Sequence, residues 1–264
     1  MTAPARTRDA FLGGAFEAVQ PAGGHRSGLE AILLSATVPA SFAGEVVDLG
    51  AGAGVAGFAV VCRCKDARVT LVDRDPEALA CAAESLALSA NAAFTDRVRV
   101  VAVDVTAPEA ERAAAGLSRE FADLAVMNPP FRDPHGGTAS PDHARRAAHV
   151  SDDRMLDAWI RTATTTLRAD GRLAVIYRAD GLAELLAVTA SRFGDRAILP
   201  IHPKEGAPAL RVILAARKGS RAPDRVLPGF VLHGEGGAYL PSAQQILRAG
   251  AGLAEVHPAW RAAL

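Results

Sequence analysis

Charge of one sign, aromatic side chains and long apolar runs are all scarce in this chain of 264 residues. Lysine plus arginine equals aspartate plus glutamate at 29 each, so no overall positive field attracts nucleic acid, and such affinity must come from local patches. Aromatic residues make up 5% of the chain, which leaves few rings for base stacking. No stretch reaches the roughly 18 consecutive apolar residues of a membrane helix, and the N-terminus lacks the apolar segment of a signal peptide. We therefore expect a cytoplasmic protein with no membrane partner.

Cysteine is scarce as well, with three residues at Cys62, Cys64 and Cys81. The odd count does not fit a disulfide framework, and the C-x-C spacing of the first two does not match a zinc site. We expect three reduced thiols with structural roles.

The rest of the chain alternates β-like apolar runs with helical stretches rich in Ala and Leu, which is typical of βαβ units around a parallel sheet. Strands are predicted at residues 45–50, 68–73, 97–104, 123–128 and 171–178, and helices at 54–61, 76–90, 107–116 and 152–167. Past residue 182, a helix is followed by two β-like runs that are too close together for a helical crossover. The predicted fold is α/β, a doubly wound Rossmann-like sheet of seven mostly parallel strands with a C-terminal antiparallel hairpin.

A glycine-rich turn, "VVDLGAGAGVAG", places Gly50, Gly52 and Gly54 directly after the first of these strands and before a helix. Such a turn lets the backbone approach a ligand closely and presents N–H groups at the helix start. A tight turn without a ligand is the alternative. The G-x-G-x-x-G fingerprint of nicotinamide-binding folds is imperfect here. The match at Gly52, Gly54 and Gly57 begins two residues too far from the strand, and the match that begins at Gly50 has Val55 at its sixth position, where Gly or Ala is expected.

Three aspartates accompany the predicted strands. Asp73 ends the second strand, where a carboxylate can accept hydrogen bonds from ribose hydroxyls of either NAD or S-adenosylmethionine. Asp104 ends the third strand and suits the exocyclic amine of an adenine. Either residue could instead be a helix N-cap. Asp48, inside "VVDLG", is expected near the amino-acid end of the ligand, because a buried carboxylate needs a partner.

The stretch "VMNPPF" follows the fourth strand, so Asn128 falls at the carboxyl end of the sheet, where doubly wound folds bind ligands. Here the sequence resembles class I S-adenosylmethionine-dependent methyltransferases that carry an Asn-Pro-Pro-aromatic motif and methylate planar exocyclic nitrogens. Pro129 and Pro130 fix the backbone so that oxygens point outward. The Asn128 side-chain oxygen and the Pro129 carbonyl could then accept both hydrogens of an amine and aim its lone pair at the methyl group, while Phe131 stacks on the base.

The resemblance extends to "FLGGAFEAVQPAGGHRSGLEAILLSA", to the loop after Phe131 and to "ALRVILAARKGSRAP", which together look like the bacterial valine-tRNA adenine N6-methyltransferase family. That family has Tyr where this chain has Phe131, and Asp, as a cofactor contact, where it has Glu30. The resemblance implies transfer of a methyl group to the N6 amine of an adenine in RNA, in tRNA near the anticodon. It also places Arg26, beside His25, next to the cofactor, although a surface turn is an equal reading of those two residues.

The chain has no internal repeat, low-complexity linker or break in composition, so we expect one domain with appendages: residues 1–44 as an N-terminal cap segment, 45–220 as the methyltransferase domain and 221–264 as a C-terminal extension packed on the same domain. No obligate protein partner is evident. RNA contacts are expected from two groups of basic residues, namely Arg132, Arg145 and Arg146 in the loop after Phe131, and Arg217 with Lys218 in "AARKGSR". A solvated surface is the alternative reading of both groups.

That loop also contains His135, His143 and His149, but their spacing matches no metal-ligand pattern, so we expect no metal and interpret the segment as a substrate gate. Three hypotheses of different kinds remain open. They are the RNA methyltransferase, acting on tRNA or on ribosomal RNA; a protein glutamine methyltransferase, which would normally have an N-terminal recognition domain; and a nicotinamide-dependent oxidoreductase.

Overall fold

The computed structural model of the chain describes residues 5–23, 27–130 and 143–263, and for residues 143–153 and 262 it describes the backbone alone. The strands are β1 (Arg6–Phe11), β2 (Phe16–Pro21), β3 (Ala43–Leu49), β4 (Asp66–Asp73), β5 (Val98–Ala102), β6 (Ala122–Met127), β7 (Leu167–Arg178), β8 (Phe193–Lys204), β9 (Arg211–Lys218), β10 (Arg225–Val226) and β11 (Phe230–His233). The helices are α1 (Leu29–Ser35), α2 (Val55–Arg63), α3 (Pro76–Leu86), α4 (Glu109–Ala114), α5 (His143–Thr166), α6 (Leu182–Thr189), α7 (Pro241–Ala249) and α8 (Leu253–Val256).

The main sheet contains the seven predicted strands in the order β5-β4-β3-β6-β7-β9-β8. Strands β3 to β7 are parallel to one another, and β9 runs antiparallel to both of its neighbours, β7 and β8. This arrangement confirms the doubly wound sheet and its C-terminal antiparallel hairpin. Two short strands that were not predicted from the sequence, β10 and β11, pair in parallel with β8 and bring the sheet to nine strands.

Both faces of the sheet are covered by helices, which explains why its strands are continuous apolar runs. Neighbouring residues of one strand belong to different cores: Val46 packs with the α1 and α2 side, and Val47 packs with the side that holds α5 and α6. Leu124 and Ala125 of β6 divide in the same way. Positions of the central strands are therefore buried whichever way their side chains point.

The first strands, β1 and β2, form a separate antiparallel hairpin that was not predicted from the sequence. Hydrogen bonds attach it to α3 and the turn after it: Val19 N donates to Ser85 Oγ at 2.8 Å, and Asn91 Nδ2 donates to the Glu17 carbonyl at 2.7 Å. Gln20 Oε1 accepts from Ser27 N at 2.9 Å, which fixes the chain just before α1. The hairpin thus leads the chain into the edge of the sheet where the strands end.

Some predicted helix boundaries differ from those observed. Helix α5 begins at His143, well before the predicted residue 152, and α3 ends at Leu86, after which short 3₁₀ turns lead into β5. The three cysteines are free thiols, and Cys64 and Cys81 are buried. Among the described residues, no helix combines the length and apolarity needed to cross a lipid bilayer.

The last residues of the chain pack beside α1 and α2. Leu253 N donates to the Ala36 carbonyl at 2.7 Å, and Arg63 of α2 donates to the Gly250 carbonyl at 2.6 Å. Trp260 is buried and donates from Nε1 to the Thr37 carbonyl at 3.3 Å. These contacts lie at the C-terminal ends of α1 and α2, from which the chain leads to the starts of β3 and β4.

Candidate active site

The register of the parallel strands brings the predicted site residues to one edge of the sheet. Leu49, the last residue of β3, pairs with Val72 of β4 on one side and with Met127 of β6 on the other. Residues that follow these strands therefore lie side by side: the glycine turn after β3, Asp73 at the end of β4, and Asn128 after β6. Asp104 follows β5 on the same edge.

The three glycines of the turn have positive φ angles, of 72° at Gly50, 56° at Gly52 and 86° at Gly54, but they face different surroundings. A Cβ at Gly50 would lie 2.2 Å from Trp159 of α5, and one at Gly54 would lie 2.8 Å from Leu71. A Cβ at Gly52 would meet only Ser27 Oγ, at 4.0 Å. Gly50 and Gly54 are thus required by packing, whereas Gly52 borders open space into which a ligand could fit.

Asp73 holds this turn in place from the neighbouring strand. Its Oδ2 accepts from Gly52 N at 2.7 Å, and its Oδ1 accepts from Asp75 N at 2.9 Å. Each oxygen keeps a second lone pair that can accept from a hydroxyl. Asp73 is not the N-cap of α3, because Asp75 fills that position and accepts from Glu77 N.

Asp104 lies in a short turn after β5. Its Oδ1 accepts from both the backbone N and the Oγ1 of Thr106 at 2.7 Å, and its Oδ2 accepts from Arg74 Nη1 at 2.7 Å. Partial burial raises the pKa of Asp104, but the hydrogen bonds from Thr106 and from Arg74 outweigh it, and the net shift is downward. Asp104 is not the N-cap of α4, which follows Pro108.

Asp48 lies beneath the glycine turn and is only 3% exposed. Its Oδ2 accepts from Gly57 N, in the first turn of α2, at 2.9 Å. Burial raises the pKa of its carboxyl to about 7; the Gly57 hydrogen bond opposes the shift and the charge of Asp73 adds to it. The observed role of Asp48 is to hold the turn against α2, and its contact with a ligand stays a prediction.

Asn128 is half-buried and is linked to two other elements. Its Nδ2 donates to Glu30 Oε2 of α1 at 2.9 Å, and Glu30 Oε1 accepts from Arg211 Nε at the start of β9. A carboxylate can only accept, so the amide nitrogen must face Glu30 and the amide oxygen must face away from it. Pro129 is buried and Pro130 is exposed.

This link was not predicted from the sequence. The family resemblance associated position 30 with the cofactor, and no pattern in the sequence indicated a partner for Arg211. Glu30 is 98 residues from Asn128 and 181 residues from Arg211, so no local pattern could reveal these contacts.

Several predicted site residues cannot be placed. Arg26, Phe131 and Arg132 lie outside the described residues. Arg145 and Arg146 belong to α5, but their side chains are also outside the described part of the chain.

Arg217 and Lys218 lie at the opposite edge of the sheet from Asn128. Arg217 pairs with Arg172, which lies midway along β7 and opposite Leu124 near the beginning of β6, whereas Arg211 pairs with Arg178 at the end of β7. At a rise of about 3.3 Å per residue, these positions are about 20 Å apart along the strand. Arg217 forms an ion pair with Asp170 at 2.9 Å, and Lys218 Nζ donates to the Leu167 carbonyl at 2.6 Å. These two residues are therefore remote from Asn128 and the glycine turn.

Comparison with known proteins finds methyltransferases throughout, with both a nitrogen and an oxygen acceptor among their names. The model of the methyltransferase small domain family matches residues 29–194. The chain is 27% identical over 223 residues to a tRNA1(Val) (adenine(37)-N6)-methyltransferase of Porphyromonas gingivalis, covering 82% of this chain and 84% of the relative. It is 30% identical to the enzyme of the same name from Phocaeicola vulgatus, over 71% of this chain and 75% of that one. A crystal structure from Agrobacterium tumefaciens, described as a predicted O-methyltransferase, is 36% identical with a TM-score of 0.72 and covers 84% of this chain and 97% of its own.

Proposed function

The chain belongs to the methyltransferase small domain family and is an S-adenosylmethionine-dependent methyltransferase; we propose that its methyl acceptor is the N6 amine of an adenine in RNA, in a tRNA near the anticodon. The observation that carries this proposal is the orientation of Asn128. Its amide nitrogen is engaged by Glu30, so its oxygen serves as an acceptor at the carboxyl edge of the sheet. The names of the curated relatives support the choice of tRNA.

The described residues at this edge suit the cofactor. Gly52 leaves space for a ligand against the backbone, and the Asp73 carboxylate beside it can accept from two ribose hydroxyls. Asp104, in the turn after β5, has an Oδ2 that accepts from Arg74 and keeps a second lone pair for the exocyclic amine of the adenine ring of the cofactor. When bound, S-adenosylmethionine supplies a methyl group activated by a positively charged sulfur.

The protein's own part in the reaction is to orient the acceptor. The lone pair of an exocyclic amine is delocalised into the ring, so the nitrogen is a poor nucleophile. We propose that Asn128 Oδ1 and the Pro129 carbonyl each accept one amine hydrogen and hold the lone pair towards the methyl group. The nitrogen becomes positively charged on transfer and then loses its proton easily, so this arrangement does not need a strong general base.

The pair of acceptors also favours nitrogen over oxygen as the methylated atom. An amine has two hydrogens and satisfies both acceptors, whereas a hydroxyl has one and would leave the second acceptor unpaired. A buried unpaired acceptor costs on the order of 1–3 kcal/mol. The proposed pair of acceptors is thus better matched to an amine than to the oxygen acceptor in the description of the Agrobacterium structure.

An adenine in an anticodon loop is a suitable substrate because it is not held in a duplex. Enzymes that act on a base must extract it from its stack, and the cost is lowest for an unpaired base. We propose that Phe131 stacks on the extracted base and that Arg132, Arg145 and Arg146 contact neighbouring phosphates.

The test is methyl transfer from labelled S-adenosylmethionine to purified tRNA, to ribosomal RNA and to a glutamine-containing protein, followed by nucleoside analysis. We expect N6-methyladenosine in tRNA alone. Label confined to ribosomal RNA, to protein or to ribose oxygen would overturn the proposed acceptor. The variant Asn128→Ala should lower turnover at least about 100-fold while S-adenosylmethionine binding, measured by calorimetry, changes little. An equal loss of binding and turnover would instead show that Asn128 does not orient the acceptor amine.

A further inference from the structure

The hydrogen-bonded chain from Arg211 through Glu30 to Asn128 joins β9, α1 and the end of β6. We propose that Glu30, held by Arg211, is a positioning residue that fixes the amide of Asn128 with its oxygen towards the acceptor amine. This inference rests on the proposed role of Asn128 as an amine acceptor. It gives Glu30 a function in catalysis that differs from contact with the cofactor.

The reason lies in the symmetry of the amide group. A rotation of 180° about the last side-chain bond of Asn exchanges oxygen and NH₂ with almost no change of shape, and this torsion has no strong preference of its own. With the oxygen inward, Asn128 accepts from the amine. With the NH₂ inward, two donors face each other and the lone pair is not aimed. An enzyme that uses this asparagine must therefore select one orientation.

Glu30 is suited to make that selection because an ionised carboxylate has no hydrogen to donate. Its Oε2 lies 2.9 Å from Asn128 Nδ2, so the rotated amide would place an oxygen against a negatively charged oxygen at the same distance. In a glutamine at this position, Arg211 Nε would keep the amide oxygen, so the NH₂ would face Asn128 and would favour the rotated orientation.

Arg211 fixes the carboxylate in turn. Its Nε donates to Glu30 Oε1, which leaves Oε2 for Asn128. The Glu30 side chain is 23% exposed and that of Arg211 is 32% exposed, so the link lies at the border of the cleft rather than in the core. Substitution here is expected to spare the fold, because both side chains are partly exposed to solvent.

The first experiment is Glu30→Gln, which keeps the shape of the side chain and removes the charge. We expect kcat to fall on the order of 10- to 100-fold, as for loss of one hydrogen bond to a charged group. The dissociation constant for S-adenosylmethionine and the KM for tRNA should stay within about twofold. The matched control is Glu109→Gln, which removes an exposed carboxylate that is ion-paired with Arg119 instead of with Arg211 or Asn128. It should leave all three quantities unchanged.

The second experiment is a rescue that a merely structural role would not produce. Asn128→Asp alone should be poorly active because it places two carboxylates in contact. Combined with Glu30→Gln, the introduced amide can donate to the introduced carboxylate, whose other oxygen accepts from the amine. We expect the double variant to be at least about 10-fold more active than Asn128→Asp alone, because it restores a hydrogen bond to a charged group.

The possible results separate the two claims. If Glu30→Gln weakens S-adenosylmethionine binding in proportion to kcat, Glu30 contacts the cofactor and the positioning role is overturned. A wild-type kcat in Glu30→Gln, or no rescue in the double variant, also overturns the positioning role of Glu30. In either case, loss of turnover in Asn128→Ala would still support the proposed function. Should Glu30→Gln fail to fold, as judged by its thermal melting, Arg211→Gln tests the same link from its other end and should lower kcat with cofactor binding retained.

Discussion

Replacement of the buried Asp48 by Asn should make the protein more stable at neutral pH. Asp48 is 3% exposed, and burial raises the pKa of its carboxyl to about 7 from an ordinary value of 3.8. Asparagine has nearly the same shape, and its Oδ1 can accept from Gly57 N as Asp48 Oδ2 does at 2.9 Å. The variant keeps the contact that holds the glycine turn to α2 and loses only the charge.

The size of the effect follows from proton linkage. Between pH 3.8 and about 7 the unfolded chain has lost the Asp48 proton while the folded protein retains it, so the free energy of unfolding falls as pH rises. The slope is about 1.4 kcal/mol per pH unit for one proton, which gives at most about 4 kcal/mol over this window. The N-terminus of α2 carries partial positive charge that favours the carboxylate and reduces this value. Above about pH 7 both states are ionised and the difference becomes constant.

The assay is urea unfolding of both proteins without cofactor, at intervals between pH 4 and 8.5. The free energies of unfolding should nearly coincide at pH 4, and that of Asp48→Asn should exceed the other by about 2–4 kcal/mol at pH 8. Since all other ionisable groups are shared, they cancel in the difference. A difference that is independent of pH would refute the raised pKa, and a less stable variant at pH 8 would show that the charged form of Asp48 is needed by the fold.

Three further predictions concern the cleft. Asp73→Asn places an NH₂ group against either Gly52 N or Asp75 N, both of which are donors. The affinity for S-adenosylmethionine, measured by calorimetry, should therefore fall on the order of 10-fold or more. An unchanged affinity would contradict the proposed contact of Asp73 with the ribose. Gly50→Ala should yield little folded protein, because its Cβ would lie 2.2 Å from the indole ring of Trp159. Gly52→Ala should fold but lose affinity for the cofactor. Equal melting temperatures of the two variants would contradict this contrast. Charge reversal of Arg145 and Arg146 should weaken tRNA binding and reduce its dependence on salt, both measured by filter-binding titration. The affinity for the cofactor should not change.

The fold could be predicted where the sequence pattern reflects local and repeated physics. Strands buried on both faces are short apolar runs, so β3 to β7 were recognisable from composition and flanking helices alone. The hairpin of β8 and β9 followed from the short connection between them. The N-terminal hairpin of β1 and β2 had no such signal, because its position depends on side-chain contacts with α3, such as that of Val19 with Ser85.

The candidate site could be predicted only in part for a related reason. A glycine turn after a strand, an aspartate at a strand end and an Asn-Pro-Pro motif are each contained in a few consecutive residues, and a parallel sheet brings their positions to one edge. The group that orients Asn128 comes from α1 and is fixed from β9, and only the assembled fold brings these elements together. The residues at the strand ends were therefore predictable, but the side chains that hold them were not.

Strand direction explains why the basic residues of β9 divide between two places. Strand β9 runs antiparallel to both of its neighbours, β7 and β8. Its first residue therefore lies at the edge where the parallel strands end, and its last residue lies at the edge where they begin. Arg211 therefore reaches Glu30 beside Asn128, while Arg217 and Lys218, a few residues later, are carried about 20 Å away. Clustering in sequence implies clustering in space for residues of one turn or one helix face, but an extended strand separates its charges. A basic run on a strand that crosses the whole sheet is therefore divided between two surfaces, and only the end nearer Asn128 can contact residues of the cleft.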